Sequence, residues 1–196
     1  MAPVSRATIT EWTAPLIPHG SRQYDLRWRF YTPRGSTGGR AAIRVAPPDS
    51  LRFDYRGPFG RSGAAVIVGD SVLWAEPEKD VRELIPLAPL FWAALGMPLP
   101  ASTGAALTGI EGTDRVVWRQ VVNVDTLDLV YVRRPETRLR SQFRQGGVRA
   151  ATDVRLSSGL AVAGEMQFPR DGAAFVFTVE QADSTAVFDA TTWRRP

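Results

Sequence analysis

Residues 24–31 read Tyr24-Asp25-Leu26-Arg27-Trp28-Arg29-Phe30-Tyr31. Successive side chains of a strand point to opposite faces, so Tyr24, Leu26, Trp28 and Phe30 share one face and Asp25, Arg27, Arg29 and Tyr31 the other. A strand with one buried and one solvated face satisfies every residue of this run. A helix would wrap the arginines into the apolar stripe.

Working outward, the same alternation returns on both sides. Leu51, Phe53 and Tyr55 oppose Arg52, Asp54 and Arg56, and Leu139, Ser141 and Phe143 oppose Arg138, Arg140 and Arg144. It continues through Thr152, Val154 and Leu156, through Val162, Gly164, Met166 and Phe168, and through Phe175, Phe177 and Val179. Turn clusters separate the runs: Pro33 to Gly39, Pro47 to Ser50, Gly57 to Gly60, Gly69-Asp70, Gly146-Gly147, Ser157 to Gly159 and Arg170 to Gly172. Connections this short join neighbours antiparallel. The expectation is a mainly β chain of about ten or eleven strands, a number at which a twisted sheet curls, splits or closes.

The rhythm breaks between Leu84 and Leu95, where Leu87, Leu90, Phe91, Ala94 and Leu95 fall at helical spacing. Pro89 suits a first turn and Gly96 a C-terminal cap, which places the regular part near Leu90 to Leu95, with Pro86 limiting any extension backwards. A second short helix is expected after Ser102 or Thr103, stopping at Gly109. Pro15 and Pro18 restrict the N-terminal segment, residues 1–20, to irregular structure or a short helix, and if Ile9, Trp12, Leu16 and Ile17 cover the apolar face they do so from such a segment. With so little helix, a large apolar sheet face needs cover. A sandwich, a packed barrel and a sheet curled around a hollow all supply it, and the pattern alone does not choose.

With 196 residues, 44% apolar and 22% charged, the chain fits one domain over residues 1–196. No run approaches the roughly 20 apolar residues of a membrane-spanning helix. Nothing at the N-terminus reads as a signal peptide. The absence of cysteine excludes disulfides and thiolate metal sites. The net charge of +4 is carried by arginines that alternate with apolar residues, Lys79 being the only lysine. That is the wet face of a sheet rather than a nucleic-acid surface.

Catalytic and cofactor signatures are equally thin. The one histidine, His19, lies in Pro18-His19-Gly20 without a nucleophile at a recognisable spacing. Glu76, Glu78 and Asp80 lack the ligand pattern of a calcium loop and read as a solvated acidic turn, as do Asp125 and Asp128 beside a hairpin. Gly35-Ser36-Thr37-Gly38-Gly39 lacks the lysine and helix of a phosphate cradle and reads as a hairpin loop. Trp92 reads as a buried aromatic. No enzyme activity, metal or cofactor is expected.

One turn stands out. Phe59 sits at the tip of Gly57-Pro58-Phe59-Gly60, where hairpins ordinarily show water a polar residue.

The stretch from Pro47 to Gly109 resembles the outer-membrane lipoprotein receptors and their periplasmic carrier relatives, the LolB-like and LolA-related superfamily. The resemblance rests on Ala46-Pro47-Pro48-Asp49-Ser50-Leu51-Arg52-Phe53-Asp54, the turn Gly57 to Gly60, the hairpin from Val66 to Trp74, and Leu95-Gly96-Met97-Pro98-Leu99-Pro100 followed by Leu107-Thr108-Gly109. It covers about a third of the chain. It implies an unclosed antiparallel half-barrel with short central helices, within residues 84–109, across its mouth, holding acyl chains without chemistry. Relatives usually carry a long amphipathic helix before the first strand, and here that segment is short.

On this reading the cavity is lined by Trp28, Phe30, Phe53, Tyr55, Ile67, Trp74, Phe91, Leu95, Trp118, Leu129, Phe143, Met166, Phe168, Phe175 and Phe177. Phe59 matches the receptors' protruding apolar residue, with Arg56 and Arg61 beside it to meet anionic head groups. The implied partners are lipoprotein acyl chains or phospholipid, a periplasmic carrier protein and, transiently, a membrane surface, with no nucleic acid and a monomeric chain. The implied location is the periplasm, with outer-membrane anchoring through a lipidated cysteine that this sequence lacks. An envelope sensor of the same fold and a lipocalin-like carrier of a small hydrophobic ligand, which needs a closed barrel, are the alternatives.

Overall fold

The computed structural model describes residues 1–69, 71–78 and 88–195, with Val148 described in its backbone only. Thirteen strands form one antiparallel sheet: β1 (Ala2–Pro3), β2 (Arg22–Thr32), β3 (Gly35–Ala46), β4 (Ser50–Arg56), β5 (Ser62–Val68), β6 (Ser71–Glu76), β7 (Ala106–Glu111), β8 (Arg115–Val122), β9 (Asp125–Val132), β10 (Arg138–Gln145), β11 (Val148–Ser157), β12 (Leu160–Phe168) and β13 (Ala173–Asp183). Their order is β1-β7-β8-β9-β10-β11-β12-β13-β2-β3-β4-β5-β6. β1 and β6 do not pair with each other, so the sheet curls without closing into a barrel. One continuous sheet also excludes the sandwich.

Among the described residues two short helices, α1 (Arg6–Thr13) and α2 (Ala88–Ala94), lie against the sheet's concave face. Ser5 caps α1 by accepting the Thr8 backbone N–H at 3.1 Å, and Ile9, Trp12 and Thr13 point inward. A 3-10 turn at Ala14–Leu16 contains Pro15 and carries buried Leu16, while Ile17 stays exposed, against expectation. α2 contains Pro89, as the sequence suggests, and ends in a Schellman motif. The Gly96 N–H donates to Ala93 O at 2.9 Å and the Met97 N–H to Trp92 O at 3.0 Å, with Gly96 at φ +76. Residues 84–87 of the expected helix lie outside the described residues, as do Asp70 and Asp80.

The helices define a closed end. Trp92, buried as expected, donates its indole N–H to Gly69 O at 2.8 Å in the β5–β6 turn, and Gly96 abuts Leu156 at the end of β11. Trp12 donates to Glu111 at 2.8 Å, and Arg22 to Gly159 O at 2.9 Å in the β11–β12 turn. Along the other edge of the sheet lie the β2–β3, β4–β5, β8–β9, β10–β11 and β12–β13 turns, of which the β4–β5 and β12–β13 turns mark the open end.

Two expectations fail here. No helix stops at Gly109: Ala106–Glu111 is β7, paired with β8, because Leu107 and Gly109 face inward and Gly109 leaves room for the Trp12 ring, which an added Cβ would meet at 2.6 Å. Gly35 to Gly39 is not a loop either, since β3 begins at Gly35 and pairs with β2 throughout. A Cβ on Gly39 would lie 1.9 Å from Arg56 O, so this glycine serves a close backbone approach rather than a turn. With β1 and β7 included, the strand count rises to thirteen.

Candidate functional site

The concave face changes character along its strands. Toward the closed end Val116, Trp118, Leu129, Leu139 and Val154 are fully buried beside the helices, with Leu95, Met97 and Leu156. Toward the open end the aromatics of the same face stay half-buried: Trp28, Phe30, Phe53, Tyr55, Phe168 and Phe175. Their rings form a chain, Phe53 stacked on Tyr55 at 5.5 Å, Tyr55 edge-on to Trp28 at 6.4 Å, Trp28 stacked on Phe175 at 6.0 Å and Phe175 beside buried Phe177 at 6.2 Å. Phe30 meets Phe168 edge-on at 6.5 Å. Cross-strand glycines seat two of these rings: a Cβ on Gly63 would lie 2.4 Å from Tyr55, and one on Gly164 2.7 Å from Phe177.

A groove of about 550 Å³ opens beside this face, between β8–β10 and the segment after α2. Leu99, Pro89, Val122, Leu127 and Phe143 give it apolar walls, and Gln120, Gln145, Asp125, Ser102 and Asp49 supply polar groups. A larger depression of about 900 Å³ is bounded by the ion-paired Arg40, Arg44, Arg52, Asp54 and Glu180, with Leu26, Ala41 and Tyr55 beside them.

At the open end's tip Phe59 is 98% exposed with φ 56, a left-handed conformation that bulky residues adopt rarely. Val124, in the β8–β9 turn, is 85% exposed. Arg34, Arg56, Arg61, Arg149 and Arg170 lie in or beside the turns of this sheet edge, and none of the ion pairs among the described residues includes them. Arginines farther along the strands are paired: Arg27 and Arg40 with Glu180, Arg44 and Arg52 with Asp54, Arg119 with Asp128, and Arg138 and Arg140 with Asp153.

The structure divides the sequence-predicted lining. Trp28, Phe30, Phe53, Tyr55, Phe168 and Phe175 share the half-buried face, and Phe91 is half-buried on α2. Ile67, Leu95, Trp118, Leu129, Met166 and Phe177 are packed core, and Phe143 is a core residue that also walls the groove. Trp74 departs from expectation. It pairs across Val66 with Arg52 on the convex face, with the Arg52 guanidinium 5.3 Å from its ring and its indole donating to Trp193 O at 2.9 Å. The C-terminal segment covers it there, a contact 119 residues away in sequence that no local pattern announces. Gln120, Leu99 and Leu127 are groove residues that sequence reasoning misses. Leu127 and Gln120 sit in alternating strands, and only the cross-strand register Leu107–Gln120–Leu127–Phe143 brings them together.

The acidic residues have partners or solvent. Asp128 binds Arg119, Asp125 accepts from Gln145 at 2.8 Å, and Glu76 binds Arg195. No group of three His, Asp or Glu side chains converges among the described residues.

Comparison with solved structures finds the same fold among known proteins. The chain is similar to a LolA superfamily protein from Nitrosomonas europaea, with a TM-score of 0.61 and 11% identity over 98% of each chain. It is also similar to a putative outer membrane lipoprotein-sorting protein domain from Vibrio parahaemolyticus, with a TM-score of 0.55 and 7% identity over 96% of this chain and 95% of that one. A DUF1329 family protein from Desulfovibrio piger matches with a TM-score of 0.53 and 9% identity over 99% and 98%. No protein-family profile matches the chain, and no curated protein matches it in sequence. At such low identity the likeness establishes the fold.

Proposed function

We propose that this protein is a non-enzymatic carrier or acceptor of acyl chains, borne by lipoproteins or lipids, that hands them to the outer membrane from the periplasm. The observation that carries the reading is the chain of half-buried rings, Phe53, Tyr55, Trp28 and Phe175, on a part of the concave face that α1 and α2 do not cover. A sheet that needed only to fold would bury these rings as it buries Trp118. An acyl chain of palmitoyl length carries about 10 kcal/mol of unfavourable hydration, so only a surface of this kind offsets its transfer out of a membrane. One structural relative is described as an outer membrane lipoprotein-sorting domain, which supports an envelope location.

Delivery requires contact with a bilayer, and the open end supplies it. Phe59 enters the interface while Arg56 and Arg61 meet anionic head groups. The test is transfer of a fluorescent diacylated peptide from the purified protein to liposomes. Phe59→Glu abolishes transfer with an unchanged unfolding midpoint, because the residue touches little of the fold. Unchanged transfer refutes the membrane role, and a wild-type protein that retains no acylated peptide refutes the carrier reading itself.

A further inference from the structure

The inner-face row Leu107–Gln120–Leu127–Phe143–Ala150 is apolar at every position but one. Gln120 is 7% exposed, and its carboxamide nitrogen is sealed from solvent without an acceptor. A leucine there would continue the row and leave no polar group unsatisfied, so stability does not account for glutamine. Gln120 lines the 550 Å³ groove, a volume within the roughly 300–1,000 Å³ of small-ligand sites. Rotation about its last side-chain bond turns the N–H group toward that space.

The charge of the groove narrows the ligand. Among the described residues its lining includes two carboxylates, Asp49 and Asp125, and no lysine or arginine. An ionised fatty acid would bring a third negative charge to walls without a counter-ion, whereas an ester or amide carbonyl brings an acceptor and no charge. We propose that the groove seats the neutral carbonyl of an esterified or amide-linked acyl chain, with the Gln120 carboxamide donating to it and the two carboxylates excluding free fatty acids. This rests on the acyl-binding reading above and names the ligand chemistry within it.

The experiment compares three probes on the purified chain by equilibrium dialysis at pH 8, below their micelle concentrations: 1-monopalmitoylglycerol, its ether analogue 1-O-hexadecylglycerol, and palmitate. Wild type binds the ester about 3- to 10-fold more tightly than the ether, the span of one neutral hydrogen bond, and binds palmitate more weakly than the ester. Gln120→Leu abolishes the ester preference, leaves the ether affinity in place and unfolds at an equal or higher urea concentration. Ester and ether binding equally to wild type overturns the carbonyl anchor while sparing the acyl-binding reading, and this comparison needs no variant. Palmitate binding as well as the ester overturns the charge exclusion. If wild type binds none of the three, the acyl-binding reading falls and the carbonyl site with it.

Discussion

Leu139 and Val154 on one side, and Trp28 and Phe175 on the other, lie on the same concave face of the same sheet and follow the same alternation. The first two sit in β10 and β11 beneath α2 and are fully buried; the second two lie toward the end that neither α1 nor α2 reaches and remain half-buried. Among the described residues the arginines of the turns, Arg34, Arg61 and Arg170, have no ion pair, whereas Arg27, Arg52, Arg119 and Arg138 within the strands do. What separates the two regions is cover, not sequence pattern. The covered end packs its apolar face fully, and the other end leaves apolar rings partly exposed.

Truncation in each region tests this division most strongly. Leu139→Ala removes a side chain packed on all sides and should cost about 3–5 kcal/mol in urea unfolding, transfer and cavity terms together. Trp28→Ala removes a larger side chain yet should cost less, about 2–3 kcal/mol, since its ring is only partly buried. The same variant should weaken binding of an acyl probe, which Leu139→Ala, assayed where it is folded, should not. Equal losses of stability would mean that both regions are ordinary core.

The division also explains what the sequence made legible. Alternation in Tyr24 to Tyr31 assigns faces, and every aromatic so assigned in β2, β4, β12 and β13 does face inward. Depth along a strand is another matter: Leu26 and Trp28 are equivalent by parity, and only the position of the helices makes one buried and the other half-exposed. Trp74 shows where the parity argument itself breaks. A register shift between Val66 and Ile67 and a covering segment from the far C-terminus let the convex face bury an aromatic and Val66 together. Ala106–Glu111 misleads for a related reason, because Gly109, which reads as a stop, is the space under Trp12. Phe59 was readable from its turn alone, since a Gly-Pro-X-Gly tip has no interior in which to hide a ring.

A smaller effect should separate the arginines. Replacing both Arg56 and Arg61 with Gln should weaken association with anionic liposomes by about 1 kcal/mol per charge, roughly 30-fold for the pair, and flatten its dependence on salt. Arg119→Gln, which breaks the bidentate pair with Asp128 on the convex face, should leave liposome association unchanged and alter stability by about 1 kcal/mol or less. Sedimentation with vesicles at two salt concentrations measures the first, and urea unfolding the second. If the three arginines prove interchangeable in the vesicle assay, the open end has no special claim to the membrane.

The smallest difference concerns acid. At the closed end Glu111 accepts from Arg133 at 2.6 Å and from the Trp12 indole at 2.8 Å, and these bonds, Arg133 first, hold its carboxyl below the ordinary glutamate value. A lowered folded-state pKa means that the ionised form favours folding. The contribution is complete above the unfolded-state value and disappears as pH falls through the folded-state one. The anchoring of α1 to β7 should therefore weaken on acidification below about pH 4.5, and Glu111→Gln should show a shallower decline of the urea midpoint over that range. The open-end arginines stay charged throughout. Association with vesicles of a strongly acidic lipid should then hold constant over the pH range in which the closed end loosens, and a parallel loss of both would show that the two ends do not act independently.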